Sequence, residues 1–156
     1  MIGEKVTLKK PMTYAHDSHY PSGMVDGGQI PQYFGELLGE LMTRAAGCTG
    51  RIRCYKTVDY TYPVWVSDIV EYQAWIEKRD GYSFEVHFDA YIVQTFTDEF
   101  KQAHRHGSVR PEHNNFLGYE GTMLCDPPIH CGGAVAIVEV SPKAYRGPQD
   151  PKFAEQ

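Results

Sequence analysis

The hydrophobic period of this chain shifts from that of a helix to that of strands near residue 50, and that shift fixes its class. Ile30, Phe34, Leu37, Leu38, Leu41, Met42 and Ala45 recur at offsets of 4, 7, 8, 11, 12 and 15, an apolar stripe along one side of a helix. Gly47 supplies a stop. Pro31 lacks an N–H, so the regular helix begins near Gln29 or Ile30 or its first turn is distorted. From Arg51 onward the period drops to two. Ile52, Cys54, Val58, Tyr60 and Tyr62 alternate up to Pro63, and Ile69 to Ile76 forms a second run. Tyr82, Phe84, Val86, Phe88, Ala90 and Ile92 give the cleanest alternation. Asp80-Gly81 lies between the last two runs, a hairpin signal. Residues 5–12, with Val6, Leu8 and Met12 on one face, read as a first strand, and Ala134 to Val140 as a last one. The order is strand, helix, four strands, an α+β layer architecture. One helix covers one face of such a sheet. Several strands carry apolar or aromatic residues on both faces, so self-association is expected.

The 156 residues suit a single domain, 1–156. Fifteen basic against 20 acidic residues, a net charge of −5, argue against a general nucleic-acid binder. Cys48, Cys54, Cys125 and Cys131 fit no CxxC zinc spacing. Met1 to Lys10 holds no apolar run of signal-peptide length, and no stretch approaches the roughly 20 apolar residues that span a bilayer. The expectation is a soluble cytoplasmic protein with reduced thiols and no membrane partner. Residues 95–119 are polar, carry His104, His106 and His113, and read as a long excursion from the sheet. Residues 146–156 read as a polar tail.

Chemistry concentrates in HDSHYPSGMVDGG, residues 16 to 28. His16 and His19 stand at i, i+3, but zinc would need two further ligands, which the excursion histidines could in principle supply. No metal motif is complete and none is assigned. Gly27-Gly28 at a helix entrance can present free N–H groups to a phosphate or a carbonyl oxygen. The plainer alternative is a turn with Asp26 as N-cap. Gln29, Tyr33, Glu36 and Glu40 run along one stripe beside the apolar face. Glu36 and Glu40, at i, i+4, are either a solvated face or a pair whose acidities a partly buried site would split. In CDPPIHCG, residues 125 to 132, a cysteine nucleophile beside His130 is a minor reading. The prolines place this segment before the final strand.

The order of elements and these motifs resemble the hot-dog fold, a long central helix wrapped by a five-stranded antiparallel sheet. More narrowly they resemble the β-aminoacyl-CoA ammonia lyases, which act on β-alanyl-CoA or 3-aminobutyryl-CoA. The resemblance covers most of the chain. It rests on HDSHY (16–20), VDG (25–27), FGELLGEL (34–41), PVWVSD (63–68), CDPPIHCG (125–132) and RGPQ (146–149). It implies reversible elimination of ammonia from a β-aminoacyl-CoA to give an enoyl-CoA. Coenzyme A would be part of the substrate, with no separate cofactor. The site would lie at the interface of a homodimer, which is either free or part of a trimer of dimers. Asp17, His19 and Glu40 fall on lyase-like positions, and Glu36 where the family usually carries aspartate. On this reading Glu40 or Glu36 is the base, Asp17 holds the ammonium group and His19 orients one of them. Gly27 and Gly28 face the thioester oxygen, Tyr20 and Tyr33 line the acyl pocket, and Lys143 and Arg146 meet the coenzyme A phosphates. The chain departs from the family at Gly23, commonly asparagine, at Gln29, often arginine, at Pro31, and in its longer excursion. A thioesterase or an enoyl-CoA hydratase on the same scaffold is an alternative, as is a non-catalytic acyl-CoA-binding dimer.

Overall fold

A computed structural model describes residues 1–96 and 122–154. In chain order the elements are β1 (Lys5–Pro11), a single-turn helix α1 (Tyr14–Asp17), the long helix α2 (Gln29–Ala46), β2 (Arg51–Tyr60), β3 (Ile69–Asp80), β4 (Ser83–Phe96), β5 (Thr122–Glu139) and a 3-10 turn at Pro151–Phe153. The strands form one antiparallel sheet in the order β1-β3-β4-β5-β2. This is the hot-dog arrangement, with α2 against one face.

The two sequence periods meet in the core. Phe34, Leu37, Leu41, Met42 and Ala45 of α2 are almost wholly buried. They pack on the alternate residues Val70, Tyr72, Ala74 and Ile76 of β3, and Phe84, Val86, Phe88 and Ala90 of β4, which are equally buried. The Phe34 ring stacks on Phe88 at 4.9 Å and meets the edge of Tyr72 at 5.9 Å. Each such large apolar side chain contributes roughly 1.5–3 kcal/mol on burial. Gly47 ends α2 in the left-handed region, φ 71°, and its N–H donates to the Thr43 carbonyl at 3.0 Å. A Cβ there would also lie 2.7 Å from the Cβ of Arg146, so glycine answers two constraints at once.

Three expectations need correction. First, β5 begins at Thr122, well before Ala134, and contains CDPPIHCG. The prolines still break the ladder: Ile92 pairs with Ile129 and Gln94 with Leu124, so residues 125–128 stand out of register. Second, the polar tail from Arg146 is docked on the end of α2 as far as it is described. Arg146 N–H donates to Ala46 O at 2.9 Å, Gln149 N–H to Arg44 O at 2.8 Å, and Phe153 is 2 % exposed. Third, Asp26 does not cap α2. The N-cap is Gly28, and the Asp26 side chain is engaged elsewhere. Pro31 sits in the first turn of α2, where its missing N–H has no helical acceptor to lose. The hairpin forms as read, with Asp80 paired to Ser83 across Gly81-Tyr82. Most of the 95–119 excursion, with His104, His106 and His113, lies outside the described residues. No described helix is long and apolar enough to cross a membrane.

Candidate active site

The loop between α1 and α2 is held in place from both sides. Val25 N–H donates to Val64 O and Val66 N–H to Gly23 O, each at 2.8 Å. The VDG motif at 25–27 and the PVWVSD motif at 63–68, distant in sequence, are thereby neighbours. Gly23 has φ 84° and a Cβ there would come 3.0 Å from Val66 Cγ2, so the turn requires glycine. Beneath the loop, Asp17 is 0 % exposed. Its carboxylate accepts from Thr13 N–H at 2.6 Å and from the Tyr33 hydroxyl, and its carbonyl accepts from Asp26 N–H at 2.8 Å. Burial first, and the Asp17 carboxylate second, push ionisation of the Tyr33 phenol far upward, so Tyr33 remains a donor.

At the loop surface His19 and Asp26 form a dyad. Asp26 Oδ1 accepts from His19 N–H at 2.9 Å and Oδ2 meets His19 Nδ1. These two contacts, backbone first, hold the Asp26 carboxyl below the usual carboxylate range. In the neutral ring, a carboxylate at Nδ1 favours the proton on that nitrogen and leaves Nε2 as the acceptor. The His19 side chain is 88 % exposed.

Gly27 and Gly28 follow directly. Gln29 N–H is taken by Asp26 O at 3.1 Å, whereas the N–H groups of Gly27 and Gly28 have no acceptor among the described residues. They stand at the positive end of an 18-residue helix, and a Cβ on Gly28 would meet nothing within 4 Å. The Gly27 carbonyl is held by the Tyr60 hydroxyl. Asp26 and Ile30, on either side of the two glycines, line a half-open cavity of about 320 Å³. Tyr60, Thr61, Tyr62 and Val64 form its opposite wall. The Asp26 carboxylate thus stands in the cavity wall, with the His19 imidazole bonded to it and the two glycine N–H groups next to it in sequence.

The other anticipated residues are dispersed. Tyr20 is exposed. Tyr33 and Asp17 lie in the core and do not line the cavity. Asp17 has both carboxylate oxygens engaged, which is at odds with an open ammonium partner. Glu36 and Glu40 are exposed on α2, about 12 and 18 Å along the axis from Gly28. Glu40 is bound by Arg44 at 3.0 Å, and Arg44 also holds Asp150 at 2.6 Å. Lys143 and Arg146 are exposed, and Arg146 binds at the far end of α2. None of the anticipated set lines the cavity itself; His19, Gly27 and Gly28 adjoin it, His19 through its bonds to Asp26, Gly27 through the Tyr60 hydroxyl, and Gly28 as the next residue. Asp26, Tyr60 and Thr61 were not anticipated as site residues. The run of three polar or aromatic side chains at the end of β2 and just beyond it, Tyr60-Thr61-Tyr62, was the available signal.

Behind Thr61 lies a second array. His130 Nε2 is 2.8 Å from Asp89 Oδ1, and His130 Nδ1 is 2.8 Å from Thr61 Oγ1. Both ring nitrogens are thus engaged by oxygen, which overturns the pairing of His130 with a cysteine. Burial and the nearby Asp68 push the Cys131 thiol up to about 12, so it is no thiolate near neutrality.

No protein-family model matches the chain. A 3-aminobutyryl-CoA ammonia lyase of Acetoanaerobium sticklandii is 35 % identical over 86 residues, 55 % of this chain and 68 % of that protein. The solved β-alanyl-CoA:ammonia lyase from Clostridium propionicum superposes with TM-score 0.80 at 30 % identity, covering 98 % of this chain and 96 % of that one. A hexameric thioesterase from Yersinia pestis superposes with TM-score 0.61 at 16 % identity over 95 % and 97 % of the two chains, a likeness of fold.

Proposed function

The chain belongs to the β-aminoacyl-CoA ammonia lyases, and from that premise we propose that it catalyses the reversible elimination of ammonia from a β-aminoacyl-CoA thioester to give an enoyl-CoA. The observation that carries this reading is the pair of N–H groups of Gly27 and Gly28, without acceptors among the described residues, between the cavity-lining residues Asp26 and Ile30 and next to the His19–Asp26 dyad.

The reaction needs an acceptor for the α-proton, donors for the enolate-like oxygen and a hold on the ammonium group. Gly27 and Gly28 supply the donors. Preorganised donors aimed at developing charge contribute about 3–4 kcal/mol each to the rate in comparable sites. His19 Nε2 takes the α-proton. The C–H pair becomes the new Cα=Cβ bond, the C–N bond breaks, and ammonia leaves with the C–N pair. The imidazolium then returns its proton to ammonia or solvent. Asp26 keeps the tautomer and gives the cavity wall a negative charge that favours the ammonium form of the substrate. In the addition direction each step runs backward with the same groups.

Glu36 and Glu40 enter this reading through a second copy of the chain. The exposed aromatics Tyr60 and Tyr62, 54 % and 43 % exposed, border the cavity at the unpaired edge of the sheet, where a homodimer would cover them. A dimer, alone or within a trimer of dimers, would bring an acidic α2 surface to the partner's cavity. Lys143 and Arg146 would then serve the coenzyme A phosphates from that side. Coenzyme A arrives as part of the substrate, and the reading assigns the enzyme to the cytoplasm. Incubation of the purified protein with 3-aminobutyryl-CoA or β-alanyl-CoA tests the proposal. Release of ammonia together with an enoyl thioester is expected, and release from neither substrate overturns it.

A further inference from the structure

Two strands and the residue that follows a third contribute to a chain of hydrogen bonds that ends at the cavity wall. Asp89 comes from β4, His130 from β5 and Thr61 from the residue following β2. Oδ1 of Asp89 lies 2.8 Å from His130 Nε2. Oγ1 of Thr61 lies 2.8 Å from His130 Nδ1 and 2.9 Å from the His130 carbonyl. Thr61 N–H is itself anchored to Cys131 O at 3.2 Å. Gly133 leaves the room this requires, since a Cβ there would lie 3.2 Å from Asp89 Oδ1. The edge of Tyr91 packs on the imidazole, with ring centroids 5.2 Å apart.

The network decides what Thr61 can offer. With Nε2–H donated to Asp89, a neutral ring has a bare Nδ1, and the Thr61 O–H donates to it. With the ring protonated, Nδ1–H donates to Thr61 Oγ1, and the Thr61 O–H turns to the His130 carbonyl. In either state the hydroxyl proton is committed to His130, and only a lone pair is left for the cavity that Thr61 lines. A free threonine would present donor and acceptor alike, and would serve water as well as ammonium.

We propose that Thr61 is the ammonium-recognition residue of this cavity, accepting an N–H from the nitrogen that leaves or adds, with His130 and Asp89 as the positioning residues that keep its hydroxyl an acceptor. This rests on the ammonia-lyase reading and deepens it, because it names how the site favours an amine over water.

The test is the addition reaction of the full-length protein with crotonyl-CoA, with ammonium and thioester varied separately. Thr61→Val should raise the KM for ammonium about tenfold or more, while the KM for crotonyl-CoA stays within about twofold. Thr61→Ser should restore the ammonium KM to near the wild-type value. His130→Gln should raise it by about threefold or more, with Thr61 intact. Thermal melting of each variant separates this from loss of fold. An unchanged ammonium KM in Thr61→Val overturns the proposal, as does an equal rise in both KM values or a failure of Thr61→Ser to rescue. A wild-type protein that adds no ammonium overturns the lyase reading, and the subsite with it. That outcome is distinct from wild-type turnover with insensitive variants, which overturns the subsite alone.

Discussion

The Tyr33 hydroxyl donates to the Asp17 carboxylate inside the core, joining the buried face of α2 to the turn that leads into the site. Neither residue lines the cavity, yet together they set the floor on which residues 18–28 rest. Tyr33→Phe leaves one carboxylate oxygen short of a donor in a dry environment. It should cost about 2 kcal/mol and lower the melting temperature by several degrees. Asp17→Asn should act in the same direction. Lost turnover at an unchanged melting temperature in Asp17→Asn would instead make Asp17 a reacting group.

Gly28 has φ −80° and open space where a side chain would start, so its value lies in the N–H alone. Gly28→Ala should therefore retain most activity. Gly28→Pro fits the backbone angle but deletes the donor, and kcat should fall about 10²–10³-fold. Melting temperatures of the two variants, with coenzyme A binding by calorimetry, check that only the donor has been lost.

His19→Gln removes the free imidazole nitrogen and should lower kcat about 10²–10⁴-fold. Asp26→Asn should be nearly as damaging, through loss of the tautomer. The dyad also has a stability signature. A carboxyl held below its unfolded value contributes stability above about pH 4, and the contribution is lost as pH falls through the lower folded value. His19→Ala keeps the backbone donor and loses only the imidazole, so it should begin acid unfolding at a slightly higher pH than the wild type, as followed by circular dichroism.

Cys131 gives the opposite sign. Its thiol, raised by burial to about 12, stays protonated in the folded chain while an unfolded thiol ionises near 9. Its contribution is complete below about pH 9 and declines as pH rises toward 12. Cys131→Ala should flatten the alkaline limb of the stability profile. At pH 8 thiol reagents should modify exposed Cys54 well before buried Cys131.

The fold was legible wherever a pattern is local and long. The stripe from Ile30 to Ala45, closed by Gly47, specifies α2 because neighbours on a helix face are neighbours in sequence. The alternation from Tyr82 to Ile92 marks most of β4 for the same kind of reason. The first half of β5 was illegible, since Pro127 and Pro128 interrupt its alternation and its pairing comes from Gln94, Thr95 and Phe96, distant in sequence. The site divides in the same way. His19, Gly27 and Gly28 share one short loop and could be read together. Asp26 has the spacing of a cap, but His19 competes for the same carboxylate and takes it. Thr61, Asp89 and His130 meet only through strand register, and no local motif announces them. Glu36 and Glu40 were visible as a helical pair, but spacing along α2 does not say which surface faces the stripe.

The most direct measurement is mass spectrometry of one reaction: purified protein, crotonyl-CoA and excess ammonium near neutral pH. The account predicts a thioester heavier by one ammonia, absent without protein and strongly reduced in Gly28→Pro. Free coenzyme A, a water adduct or unchanged crotonyl-CoA would contradict it.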